Sequence, residues 1–85
     1  MPKELVGKVI HYFDKIGVGV IELRALLKVG DRISVEKDGK AQFEQDVTSM
    51  QVDKKPVNEA KGGTAVGMKL AQAPKSNSEV YKVTG

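Results

Sequence analysis

Asp38-Gly39 sits between two runs in which apolar and polar residues alternate, and no other feature of the chain narrows its fold as much. From Asp31 to Lys37, Ile33 and Val35 point one way while Arg32, Ser34 and Glu36 point the other. Lys40 begins a second run whose apolar face carries Phe43 and Val47. A two-residue reversal of this kind needs positive φ at both central positions, which Asp and Gly tolerate, so a type I′ β-hairpin is expected. Beyond it Met50 and Val52 hold the opposite parity, which predicts a bulge or sharp bend near Thr48-Ser49. Long bent strands let a small sheet close on itself.

The other segments extend this theme. LVGKVIHYF (Leu5 to Phe13) is rich in β-branched and aromatic residues. Leu5, Val9 and Phe13 share one face; Val6, Ile10 and Tyr12 share the other. Such a strand is covered on both sides or offers one side to a partner. Asp14 to Gly17 supplies a turn. From there to Gly30 two readings fit. Ile16, Val20, Leu23 and Leu27 fall at helical spacing, with Gly30 as the C′ residue of a short helix over residues 20–29. The alternation of Gly17 and Gly19 with Val18 and Val20 suits a strand from Val18 to about Arg24, with a bulge near Ile21. Pattern alone leaves both open.

Pro56 cannot donate to a ladder, so pairing is expected to end by Lys55. Asn58 to Gly63 is expected to be a loop, with room for one turn of helix, in which Gly62-Gly63 permits a tight reversal. Val66, Met68 and Leu70 mark a half-buried strand, Pro74 to Ser78 a polar turn, and Val80 to Val83 a closing strand. Six strands without linker or repeat predict one domain over residues 1–85. The expected architecture is an all-β, small closed antiparallel barrel.

Composition excludes several classes of function. There is no Cys, hence no disulfide framework, thiolate zinc site or thiol nucleophile. Lys and Arg number 14 against 11 Asp and Glu, an excess that suits an anionic partner without demanding one. Met1-Pro2-Lys3-Glu4 opens no signal-like apolar run, and no stretch is long enough to span a bilayer, so a cytoplasmic protein without membrane association is expected. His11 is the only histidine and has no second His or Cys to complete a metal site. No G-x-S-x-G motif and no calcium-loop spacing occur, and the Asp residues are explained by turns and solvated strand faces. Gly62-Gly63 lacks a following helix N-terminus, so a turn explains it better than a phosphate cradle. The expectation is a binding module with no enzyme activity, metal or cofactor.

The surface that stands out is Lys8, Ile10 and Tyr12, read as one face of the first strand. Lysine beside an aromatic ring is the minimum equipment for holding single-stranded nucleic acid, and the same trio suits a protein-docking face. Lys54 and Lys55, beside Pro56, would extend a phosphate-contacting surface. As loop lysines they also serve solubility alone.

From Leu27 onward the chain resembles the β-barrel second domain of the translational GTPases. LKVGDRI (Leu27 to Ile33) looks like a strand entry of that barrel, followed by VTSMQVDKKPVNEAKGGTAVGMKL (Val47 to Leu70). Ala60, Gly63, Val66 and Gly67 form its A-x-x-G-x-x-V-G pattern, VYKV suits the closing strand, and Gly7 to Val9 with Gly17 to Val20 fit the first two strands. The resemblance implies a six-stranded Greek-key barrel with residues 18–24 as strand and backbone roles for Gly63 and Gly67, which join Gly30, Asp38 and Gly39 as the expected turn residues. It implies docking on ribosomal RNA, tRNA or a translation factor. No G-x-x-x-x-G-K-[ST] loop is present, so nucleotide hydrolysis by this chain is excluded. Similar barrels also look to be appended to collagenase-like peptidases, which implies the alternative of a protein-interaction module recruiting or regulating such an enzyme.

Overall fold

The computed structural model describes residues 3–75 and 77–83; Met1-Pro2, Ser76 within the expected polar turn, and Thr84-Gly85 lie outside them. Among the described residues there are ten strands and no helix. They are β1 (Lys3–Phe13), β2 (Val18–Leu23), β3 (Leu27–Lys28), β4 (Arg32–Lys37), β5 (Lys40–Asp46), β6 (Met50–Val52), β7 (Lys55–Val57), β8 (Glu59–Ala60), β9 (Ala65–Lys69) and β10 (Glu79–Val83). Eight form one antiparallel sheet in the order β5-β4-β10-β1-β2-β9-β6-β7, and β3 pairs with β8 as a separate ribbon.

The β4–β5 hairpin turns at Asp38 and Gly39, with φ of 54° and 78°. Its register slips by one residue between Val35↔Phe43 and Glu36↔Ala41, which leaves Gln42 as an unopposed bulge residue. β2 is strand throughout, so the helical spacing of its apolar residues is incidental. The bulge expected near Ile21 lies across the ladder instead: Val9 pairs with Ile21 and His11 with Val20, leaving Ile10 unopposed in β1. A second slip leaves Val6 unopposed between Leu5↔Tyr81 and Gly7↔Val80. Val6 and Val9 are three residues apart, yet both join the core, which an unbroken pleat would forbid. Around them the core gathers Ile21, Leu23, Leu27, Ile33, Val66 and Val80, each at most 1% exposed.

Three expectations need correction. The six-stranded closed barrel is an open sheet, because among the described residues no ladder joins β5 to β7. Pairing runs past Lys55 to Val57, with Pro56 opposite Gln51. A proline is tolerated there because β7 is the outer edge, and its missing N–H is one reason the sheet stops at that strand. The Asn58–Gly63 loop contains β8, whose Glu59 and Ala60 pair with Lys28 and Leu27. Residues 47–49 make the bend that carries the chain from β5 at one edge of the sheet to β6 near the other.

Candidate functional site

The β1–β2 hairpin closes through a turn in which the Ile16 and Gly17 N–H groups both donate to the Phe13 carbonyl, at 3.2 and 2.8 Å. This end of the sheet holds three of the large apolar side chains that remain exposed: Ile10 (52%), Phe13 (46%) and Ile16 (63%). The His11 ring meets Phe13 edge to face, with centroids 4.3 Å apart and planes at 69°. Edge-to-face contact orients the two rings against each other.

Tyr12 goes the other way. The bulge at Ile10 puts it on the core side of β1, where it is half-buried and packs against the core cluster. The ring lies beside β2, so that a Cβ on Gly19 would stand 3.8 Å from its Cδ1. Two clefts flank this strand end and share His11 and Tyr12. One, of about 390 Å³, separates β1 from Pro74, Lys75 and Asn77. The other, of about 410 Å³, lies under the hairpin turn from Phe13 to Ile16.

The wall carrying Lys75 is pinned from two sides. The bulge residue Gln42 accepts the Lys75 N–H at 2.9 Å and donates its own amide to Ser78 Oγ at 2.7 Å. Ser78 Oγ donates in turn to the Lys75 carbonyl, and the Ser78 carbonyl accepts from the Val9 N–H at 2.8 Å. Ser78 is wholly buried, so the bonds of its Oγ are partly shielded from water, whereas the Gln42–Lys75 bond is exposed.

The structure separates the residues singled out in the sequence. Lys8 is exposed on β1, but its cross-strand partners are Glu79 on β10 and Glu22 on β2. A lysine set between two carboxylates offers little net attraction to a phosphate. Ile10 is exposed beside it; Tyr12 faces the opposite side. Lys54 and Lys55 lie at the β6–β7 turn, with β2, β9 and β6 between them and β1. Asp53 and Lys54 both take positive φ there, 52° and 65°. Gly30 and Gly63 have φ of 101° and 88°, whereas Gly67 lies inside β9. Missed by sequence reasoning were His11, Phe13 and Ile16 as an exposed group and Lys75 as its neighbour. The one available signal was the failure of strict alternation at Ile10-His11.

Elsewhere two groups of charged side chains are paired. Lys3 Nζ reaches Glu36 Oε2 at 2.6 Å, and Ser34 Oγ donates to the same oxygen at 2.9 Å. The Lys3 hydrogen bond holds the Glu36 carboxyl below its ordinary range, against the opposing effect of burial. Arg32 binds Asp46 and Glu44 across the exposed β4–β5 surface, at 3.1 and 3.3 Å. Among the described residues no three His, Cys, Asp or Glu side chains gather as metal ligands, and no helix is long and apolar enough to cross a membrane.

This sheet with its ribbon is a known small all-β domain. It superposes with a TM-score of 0.86 on the C-terminal domain of a candidate U32 peptidase from Geobacillus thermoleovorans, at 17% identity over 95% of this chain and 93% of that one. The selenomethionine variant of the same domain gives 0.82, over 94% and 99%. In sequence the chain is 37% identical over 76 residues to an uncharacterized protease of Methanocaldococcus jannaschii; the match covers 89% of this chain and 19% of that protein's length. No family model matches the chain. These relatives overturn the resemblance to the translational GTPase barrel: both the solved domain and the sequence relative are peptidase-type proteins. With it goes the argument for RNA, ribosome or translation-factor docking.

Proposed function

We propose that the chain is a non-catalytic docking module for a peptidase-type protein, binding through the β1–β2 hairpin end. The observation that carries this is the cluster of Ile10, His11, Phe13 and Ile16, exposed together on a fold that matches a C-terminal domain nearly end to end. A small domain with few large exposed apolar groups, several of them at one end, has the surface expected of a domain or protein interface. The sequence relative supports the same reading, since the matched portion is about one fifth of a chain named a protease. The alternative reading drawn from the sequence, recruitment or regulation of a collagenase-like peptidase, fits these relatives. Catalysis is assigned to the partner and not to this chain.

The test is to mix the 85-residue protein with the Methanocaldococcus relative lacking its matched 76 residues, after circular dichroism has shown that remainder to be folded. Size-exclusion chromatography with light scattering should show a one-to-one complex, weakened at least tenfold by Ile16→Asp. A folded remainder that elutes apart from this chain at micromolar concentrations counts against the reading.

A further inference from the structure

Accepting that docking role, we infer that the partner contributes an extended peptide segment, which adds as a strand to the free edge of β1 between Ile10 and Phe13. Along β1 the ladder to β2 continues through Phe13↔Val18, but the ladder to β10 stops at Lys8↔Glu79. Past the Val9–Ser78 hydrogen bond, among the described residues, no ladder covers the side of β1 that faces away from β2. That edge is one wall of the 390 Å³ cleft, and Pro74 and Lys75 stand on the opposite wall. Four strand residues span about 13 Å, room for a short extended segment.

The edge fixes the chemistry of its occupant. Backbone N–H and C=O groups along a strand are satisfied best by another extended main chain, and such strand addition is a recurring mode of peptide recognition. The other edges of the sheet are guarded. β7 carries Lys55 and Pro56, two residues that discourage pairing. β5 has its glutamines fastened to the 69–78 segment, through Gln45 to Lys69 and Ala71 and through Gln42 to Lys75 and Ser78. Among the described residues β1 from Ile10 to Phe13 has neither device and presents Ile, His, Tyr and Phe instead. Side chains of an added strand would alternate between the His11–Phe13 ring pair on one side and the Tyr12 side on the other. Lys75 on the facing wall favours a carboxylate in the segment. The occupant is therefore an extended, apolar-acidic segment of the peptidase-type partner.

Overlapping 12-residue peptides tiling the Methanocaldococcus relative outside its matched region test this with the 85-residue protein as it stands. At least one apolar-acidic tile should bind, tenfold or more weaker to Phe13→Lys and several-fold weaker to Lys75→Glu. Amide hydrogen exchange should slow by tenfold or more within residues 10–13 on peptide binding and stay unchanged at Lys55 and Val57. Both substituted side chains are exposed, and matching thermal melts will show that the variants remain folded. Binding of the folded partner without protection of residues 10–13, or with no binding tile, overturns strand addition and leaves the docking role standing. A concentration-dependent dimer of this chain that protects the same amides overturns it in favour of self-pairing. No binding to partner or peptide sinks both.

Discussion

Glu36 sits on the face of β4 opposite Ile33 and Val35, with its side chain 5% exposed and its charge met by Lys3, which is 46% exposed. A buried carboxylate that loses its cation keeps the desolvation cost and retains here only the Ser34 hydroxyl. Lys3→Met should therefore destabilise the protein at neutral pH by about 1–2 kcal/mol, the half-open lysine holding the figure down. The pH dependence has a definite sign. The folded value is depressed, so the pair's contribution is complete above the ordinary carboxylate value of 4.5 and is lost as pH falls through the lowered folded value. Urea titrations should show the gap between wild type and Lys3→Met shrinking as pH falls from about 5 toward about 3. A gap that stays constant over that range would remove Glu36 from the account.

The double glycine makes a second test at this scale. A Cβ on Gly62 would lie 2.6 Å from the Arg24 carbonyl oxygen, whereas one on Gly67 would meet Val18 Cγ1 at an ordinary 3.5 Å. Backbone cannot step aside as a side chain can. Around it the Gly63 N–H donates to the Leu23 carbonyl and the Leu23 N–H to the Thr64 carbonyl, so the turn is fastened to the end of β2. Gly62→Ala should cost about 1–3 kcal/mol in a thermal or urea melt, and Gly67→Ala less than about 1 kcal/mol. Equal costs would place the close approach elsewhere.

At the scale of elements, β5 is held to the rest of the sheet by amides as well as by its ladder to β4. Gln45 donates to the Lys69 carbonyl at 2.9 Å and accepts the Ala71 N–H at 2.6 Å, copying with one side chain the two bonds a strand residue would make. Gln45→Leu removes both while leaving the β4–β5 ladder intact. The expected cost is about 0.5–1.5 kcal/mol, with amide exchange accelerating at Ala71 while Gly39 and its hairpin stay unchanged. Uniform acceleration across the sheet would mean that Gln45 acts on global stability instead. The same scale shows what the sequence could carry. The Asp38-Gly39 hairpin was legible because its turn chemistry is local, and the alternation of Val66, Met68 and Leu70 was legible because β9 has one covered face. The bulge at Ile10 was not, because it exists only in the register between β1 and β2. Every face assignment downstream of it on β1 therefore inverted, including Tyr12. The insertion of β10 between β4 and β1, and the two-residue pairing of β3 with β8, likewise depend on contacts between distant segments that no local pattern records. The candidate site inherits this. Its backbone edge is free because a ladder ends at Lys8, and that endpoint is a property of β10.

The whole molecule is an open sheet plus a ribbon, and their union decides how much stability there is to lose. A chain of 85 residues has a total of only about 4–13 kcal/mol. The ribbon contributes Leu27, fully buried, and Ala60 to the common core. Its flanks are tied by the Val29 N–H to the Asn58 carbonyl and by the Gly30 N–H to the Val47 carbonyl, both at 2.8 Å. Leu27→Ala should thus act on the entire fold, through the lost burial and the cavity left where ribbon meets sheet. The expected loss is about 2–5 kcal/mol, a fall in melting temperature of at least about 10 °C. Leu26→Ser one position earlier, at a side chain 37% exposed, should change stability by less than about 1 kcal/mol. Calorimetry should show a single cooperative transition in all three proteins, because the ribbon has no core of its own to unfold around. A two-step melt in Leu27→Ala, with the ribbon lost first and the eight-stranded sheet persisting, would show the sheet to be self-sufficient. In that case the hairpin end of β1 would keep its partner-binding surface without the ribbon, and the docking module would be the sheet alone.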